Sequence, residues 1–88
     1  KGVDPVIISP KIGFTYIAST KGKKALIPLE ARVDSATKVL SWYLNGKLYK
    51  KTKNSLNSSI ELKPGNYNLK IVDDLGRVAN RLVKVREI

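Results

Sequence analysis

Among side chains that commonly carry catalysis, this 88-residue sequence has no histidine and no cysteine. Ser–His–Asp and Cys–His nucleophilic catalysis are thereby excluded, and so are the usual zinc ligands. Seven carboxylates remain: Asp4, Glu30, Asp34, Glu61, Asp73, Asp74 and Glu87. Only Asp73 and Asp74 are adjacent, and neighbours along a strand point to opposite faces, which makes them a poor acid/base pair. As calcium ligands they offer a single turn with excess positive charge nearby, a weak cation site. Turn formation is what their residue types favour. No catalytic residue, metal or cofactor is expected.

Three fragments imitate a catalytic set. Ser35-Ala36-Thr37-Lys38 fits the S-x-x-K of penicillin-recognising enzymes, Ser55-Leu56-Asn57 fits S-x-N, and Lys51-Thr52-Lys53 half fits K-T-G. In those enzymes the serine opens a buried helix of a much larger domain. Here it lies in a polar turn, the K-T triplet precedes S-x-N, and the glycine is missing. Gly22-Lys23 likewise lacks the upstream glycine and following hydroxyl of a phosphate loop. None of these is a site.

What remains is binding. Seventeen basic residues against seven acidic ones give a net charge of +10, which suggests an anionic neighbour: nucleic acid, acidic lipid or cell-wall polymer. Lysine is also an ordinary solubilising surface residue. The lysines form no single stripe, and nucleic acid calls for aromatics interleaved with cations on one face. Tyr43 and Tyr49 beside Lys47 and Lys50 come closest. Tyr49 is expected on the side of Trp42, which leaves Tyr43 with Leu48 as an exposed ledge for a sugar, a base or a neighbouring domain. Tyr43, Leu48, Tyr49, Lys47 and Lys50 are the candidate binding residues.

The elements that position them read as strands. The sequence is long enough for one domain, and its 42% apolar content suits a globular fold. No apolar run approaches the ~20 residues of a membrane span. Its centre is Ser41-Trp42-Tyr43-Leu44-Asn45-Gly46. Leu40, Trp42 and Leu44 alternate onto one face, and Asn45-Gly46 supplies a two-residue hairpin turn. That turn sets Leu44 against Lys47, Tyr43 against Leu48 and Trp42 against Tyr49, with Lys50 to Ser55 as a loop.

Seven or eight strand candidates are spaced by turns as in a sandwich. Val6-Ile7-Ile8 stops at Ser9-Pro10, and Phe14 to Ile17 resumes after Gly13, as a split edge strand. Ile27, Leu29, Ala31 and Val33 share one face, and Pro28 implies a bulge or an unpaired position. Leu56, Ser58, Ile60 and Leu62 alternate, followed by Tyr67, Leu69 and Ile71. In the last strand, Arg77 to Glu87, Val83 and Val85 point inward, and a bulge near Asn80-Arg81-Leu82 would reconcile the parity. Leu62-x-Pro64-Gly65-x-Tyr67 has the form of a tyrosine corner. Leu69 stands where antibody domains place a cysteine, so an apolar contact near Leu29 or Ala31 replaces the disulfide against Trp42. The fold class is all-β: a sandwich of about seven strands, immunoglobulin-like or fibronectin III-like, over 6–88, with 1–5 as a linker remnant.

Together, Ile8-Ser9-Pro10-x-x-Gly13, Trp42-Tyr43-Leu44-Asn45-Gly46, Leu62-x-Pro64-Gly65-x-Tyr67-x-Leu69 and Val72-Asp73-x-x-Gly76-Arg77 resemble the C-terminal domain of bifunctional penicillin-binding proteins of the 1C type. The resemblance spans about Ile7 to Val85, and the chain stops soon after its last strand, as a C-terminal domain should. It implies a membrane-anchored parent with glycosyltransferase and transpeptidase domains, working on peptidoglycan outside the cytoplasmic membrane, in the periplasm. This chain would be its non-catalytic accessory domain, a monomer. It would dock on the transpeptidase domain or another cell-envelope protein, or engage the anionic wall. The alternative is a stand-alone glycan- or surface-binding module of a secreted protein.

Overall fold

The structure, a computed structural model, describes residues 4–18, 24–53 and 58–87. Within them the chain forms eight strands: β1 (Val6–Ser9), β2 (Thr15–Ala18), β3 (Ala25–Arg32), β4 (Val39–Leu44), β5 (Lys47–Lys53), β6 (Ser58–Leu62), β7 (Gly65–Asp73) and β8 (Val78–Glu87). A three-stranded sheet, β1-β3-β6, packs on a five-stranded sheet, β2-β8-β7-β4-β5. The split first strand is real. β1 pairs antiparallel with β3, whereas β2 has crossed to the other sheet and pairs parallel with β8. After the hairpin, β5 stays on β4 and does not cross to β6. This is the fibronectin III arrangement; in immunoglobulin constant domains the corresponding strand joins the opposite sheet.

Alternation decides what lies between the sheets. Ile27, Leu29, Leu40, Trp42, Ile60, Leu62, Leu69, Ile71, Val83 and Val85 are all buried there. Trp42 is 2% exposed, and its indole N–H donates to Thr52 Oγ1 at 2.9 Å, so the one polar atom of the ring is satisfied in the core. Leu29 and Leu69 are buried in the same cluster, an apolar contact region in place of a disulfide. The tyrosine corner is present: Tyr67 Oη donates to the Lys63 carbonyl at 2.6 Å.

Three local expectations change. A bulge shifts the β4–β5 register after Tyr43–Leu48, so Trp42 faces Lys50 and not Tyr49. The extra residue carries the alternation onward, and β5 runs to Lys53 where a loop was expected. It is this shift that brings Thr52 under the tryptophan. Next, β8 has no bulge: its register with β7 is unbroken from Val78 to Val85. Arg81 simply points inward, donating from Nη1 to the Pro10 carbonyl (2.6 Å) and from Nη2 to the Ile7 carbonyl (3.0 Å). Finally, Pro28 pairs in register with Ser59. The irregularity lies in β1, whose register with β3 shifts between Ile7 and Ser9, and Ser9 Oγ donates to the Pro28 carbonyl at 2.6 Å. Leu56 lies outside the described residues.

Candidate functional site

Of the fragments that imitate catalysis, Ser35-Ala36 form a turn and Lys51-Thr52-Lys53 end strand β5. Asp34 Oδ1 accepts the Ala36 N–H at 3.1 Å and the Asp34 carbonyl accepts the Thr37 N–H at 2.9 Å. Ser35 is therefore an exposed turn residue. Thr52 is occupied by Trp42, and Ser55 and Asn57 lie outside the described residues. Asp73 is buried and fully engaged. Its Oδ1 accepts the N–H groups of Leu75 (3.0 Å) and Arg77 (2.8 Å), and its Oδ2 accepts Arg77 Nε at 2.7 Å. Burial pushes its carboxyl up, but the hydrogen bonds from the Arg77 backbone and guanidinium and from Leu75 outweigh this and hold it below the ordinary value. Asp74 Oδ2 accepts the Lys38 N–H at 3.2 Å. Both carboxylates shape a turn. Among the described residues no three His, Cys, Asp or Glu side chains are placed so that they could hold a metal ion.

The candidate binding residues fall into two pairs and a separate lysine. Tyr43 and Leu48 pair across β4 and β5 on the outer face of the five-stranded sheet, and Lys70 Nζ stands 5.3 Å from the centre of the Tyr43 ring. Tyr49 and Lys50, brought together by the bulge, reach instead toward β6 at the open edge of the sandwich. Lys50 Nζ donates to Ser58 Oγ at 2.6 Å, and Tyr49 Oη donates to the Ser59 carbonyl at 3.4 Å. Lys47 is exposed at the turn, opposite Leu44. The five residues do not converge on one point.

The registers of β4, β5, β7 and β8 show what surrounds the Tyr43–Leu48 ledge. Asn80, Lys70, Tyr43 and Leu48 form one row across four strands, and Val78, Val72, Ser41 and Lys51 form the next. Beyond the first row lie Leu82 beside Asn68 and Lys84 beside Asn66, with Thr15 and Ile17 completing the face on β2. The cations Lys51, Lys70, Lys84 and Arg86 stand on this face, and among its described residues there is no carboxylate. The outer face of the three-stranded sheet differs: Glu30 and Glu61 lie there with Leu26 and Arg32. The other acids gather at the Asp34 and Asp73–Asp74 turns, or stand at Asp4 and Glu87. Sequence reasoning missed this polarity because it depends on the register of β7 against β8. The alternation of Asn66, Asn68 and Lys70 against Tyr67, Leu69 and Ile71 was the available signal.

Comparison with known proteins places this geometry. The fibronectin(III)-like modules of Clostridium thermocellum CbhA are 25% identical, over 93% of this chain and 94% of that one, with a TM-score of 0.70. A Bacteroides ovatus protein of a mixed-linkage glucan utilization locus, SGBP-B, solved in complex with a mixed-linkage heptasaccharide, is 24% identical with a TM-score of 0.56. That likeness covers 98% of this chain but 24% of the other, and it is one of fold. No curated protein matches. The model of the Penicillin-Binding Protein C-terminus Family matches residues 1–85.

Proposed function

The chain belongs to the Penicillin-Binding Protein C-terminus Family, and from that premise we propose that it is the non-catalytic accessory domain of a cell-wall peptidoglycan synthase. In this reading it holds the enzyme to its anionic polymer through the outer face of the five-stranded sheet. The supporting observation is that face itself, on which Lys51, Lys70, Lys84 and Arg86 stand with no carboxylate among its described residues. Peptidoglycan carries carboxylates on its peptides, so field and polymer are complementary. The Tyr43–Leu48 ledge, with Lys70 over the ring, supplies apolar contact in the middle of the charge. The other sheet, with Glu30 and Glu61, is left to lie against the transpeptidase domain or another envelope protein. The parent is anchored in the membrane and the domain, a monomer, works on its outer, periplasmic side.

A second reading takes the module as a stand-alone glycan-binding sandwich of a secreted protein. The likeness to modules named with CbhA and to a protein solved with a heptasaccharide favours it. Upstream transglycosylase and transpeptidase sequence in the same gene would exclude it.

Co-sedimentation with purified peptidoglycan sacculi tests the first reading. Between about 0.01 M and about 1 M salt the Debye length shrinks from roughly 30 to 3 Å, and the bound fraction should collapse. Absence of binding at low salt would refute wall engagement by this face.

A further inference from the structure

The outer face of the five-stranded sheet is not flat where β7 meets β8. The Ile12–Thr15 segment on one side and the Asn45 turn on the other border an open cleft of about 840 Å³. That volume lies in the range of clefts that hold small ligands. The floor is made of amides. Asn66, Asn68 and Asn80 project from the two adjacent strands into the cleft. All three are exposed, and none of their side chains has a protein hydrogen-bond partner among the described residues. The wall is apolar: Ile12, Phe14 and Leu82 are 81%, 54% and 78% exposed.

This wall is braced from behind. The Phe14 ring meets Tyr16 edge to face, with centroids 4.8 Å apart. Tyr16 Oη accepts the Lys11 N–H at 3.1 Å, and Arg81 holds the Pro10 carbonyl. An exposed aromatic fixed in this way loses little freedom when a ligand lies on it.

We propose that this cleft is a subsite for a chain of N-acetylated amino sugars, resting on the reading above for the wall polymer as its source. The chemistry of the floor carries the assignment. A side-chain amide offers two N–H donors and one carbonyl acceptor. An acetamido group offers one N–H and one carbonyl, so facing amides satisfy both, and ring hydroxyls match what is left over. The C–H face of a sugar ring fits Phe14 and Leu82. Charge is distributed differently: Lys51, Lys70 and Arg86 lie outside the cleft, and Lys84 stands at its side. The neutral backbone of the polymer thus meets amides, and its carboxylates meet lysines. A protein partner fits less well, because it would bury three amides and must then supply partners to every one of them.

The test is titration of the ¹⁵N-labelled chain with N-acetylglucosamine tetramer at about 0.3 M salt, where charge attraction is screened. Saturable shifts are expected at Phe14, Leu82 and the side-chain amides of Asn66, Asn68 and Asn80, and none at Leu26 or Glu61. Asn68→Ala and Phe14→Ala should each weaken binding about five- to tenfold, the scale of one hydrogen bond or one packed ring. Leu26→Ala, on the opposite sheet, should leave it unchanged. Glucose tetramer, which lacks acetamido groups, should bind at least about tenfold more weakly.

Absence of saturation would overturn the subsite, as would shifts centred on Tyr43 and Leu48 or equal binding of the glucose tetramer. Protection of Phe14 and Leu82 by the transpeptidase domain without sugar would make the cleft a docking face and also overturn it. Failure here with salt-dependent sacculus binding intact removes the subsite alone. Loss of sacculus binding removes the wall reading as well.

Discussion

Single side chains here fix both core and turns. Trp42 fills the space between the sheets and its indole N–H is matched by Thr52. Trp42→Ala should therefore cost about 3–5 kcal/mol, the range for truncating a buried aromatic, read as the loss in urea-unfolding free energy. A melting point within a few degrees of wild type would contradict the register described. Asp73 makes a different prediction. Its carboxyl is held below the ordinary aspartate value of 3.8, so the unfolded chain takes up a proton first as pH falls. The stability it lends is complete above that value and disappears as pH drops through the lowered value of the folded state. The urea midpoint of the wild type should fall on going from neutral pH to about pH 2.5. Asp73→Asn, which removes the titration, should start lower at neutral pH and show a shallower decline.

At the scale of strands, much could be read from the sequence and some could not. The alternation from Ala25 to Val33 and from Tyr67 to Ile71 was legible because one face of each strand is buried and the other wet. The Asn45-Gly46 turn was legible because its positive φ values, 50° and 84°, suit those residue types. The bulge at Tyr49 was not. Nothing in Lys-Leu-Tyr-Lys-Lys-Thr marks which residue is extra, and only the demand of the Trp42 indole for Thr52 settles it. Arg81 misled for a related reason. An inward arginine breaks an apolar pattern, and only the carbonyls of Ile7 and Pro10, some seventy residues away in sequence, give it a reason. Arg81→Met keeps the length and removes the donors. It should cost about 1.5–3 kcal/mol, as for hydrogen bonds from a charged group. Hydrogen exchange should show β1 amides near Ile7 losing protection before those of β7.

Across the whole molecule the organising fact is polarity between the two outer faces. The net charge of +10 suggested an anionic neighbour but carried no direction. The direction comes from pairing, which gathers Lys51, Lys70, Lys84 and Arg86 on one sheet and leaves Glu30 and Glu61 on the other. Composition cannot report that, because a one-residue slip in register would have sent those lysines to the opposite side. Lys70→Glu with Lys84→Glu should abolish sacculus sedimentation at low salt. A matched pair on the other sheet, Glu30→Lys with Glu61→Lys, should leave it intact or raise it. Both double variants replace exposed or half-exposed side chains, so their melting points should stay close to wild type.

The crossing of the first strand between sheets has a mechanical side. β2 runs parallel to β8 over Thr15–Ala18 and Lys84–Glu87, so the chain enters this ladder at one end and leaves it at the other. Tension between the two ends of the domain pulls the strands lengthwise past each other. The evenly spaced bonds of the parallel ladder then share the force at once, where a hairpin pulled open would surrender them singly. Pulled by both ends, a domain wired this way would yield by sliding and not by peeling.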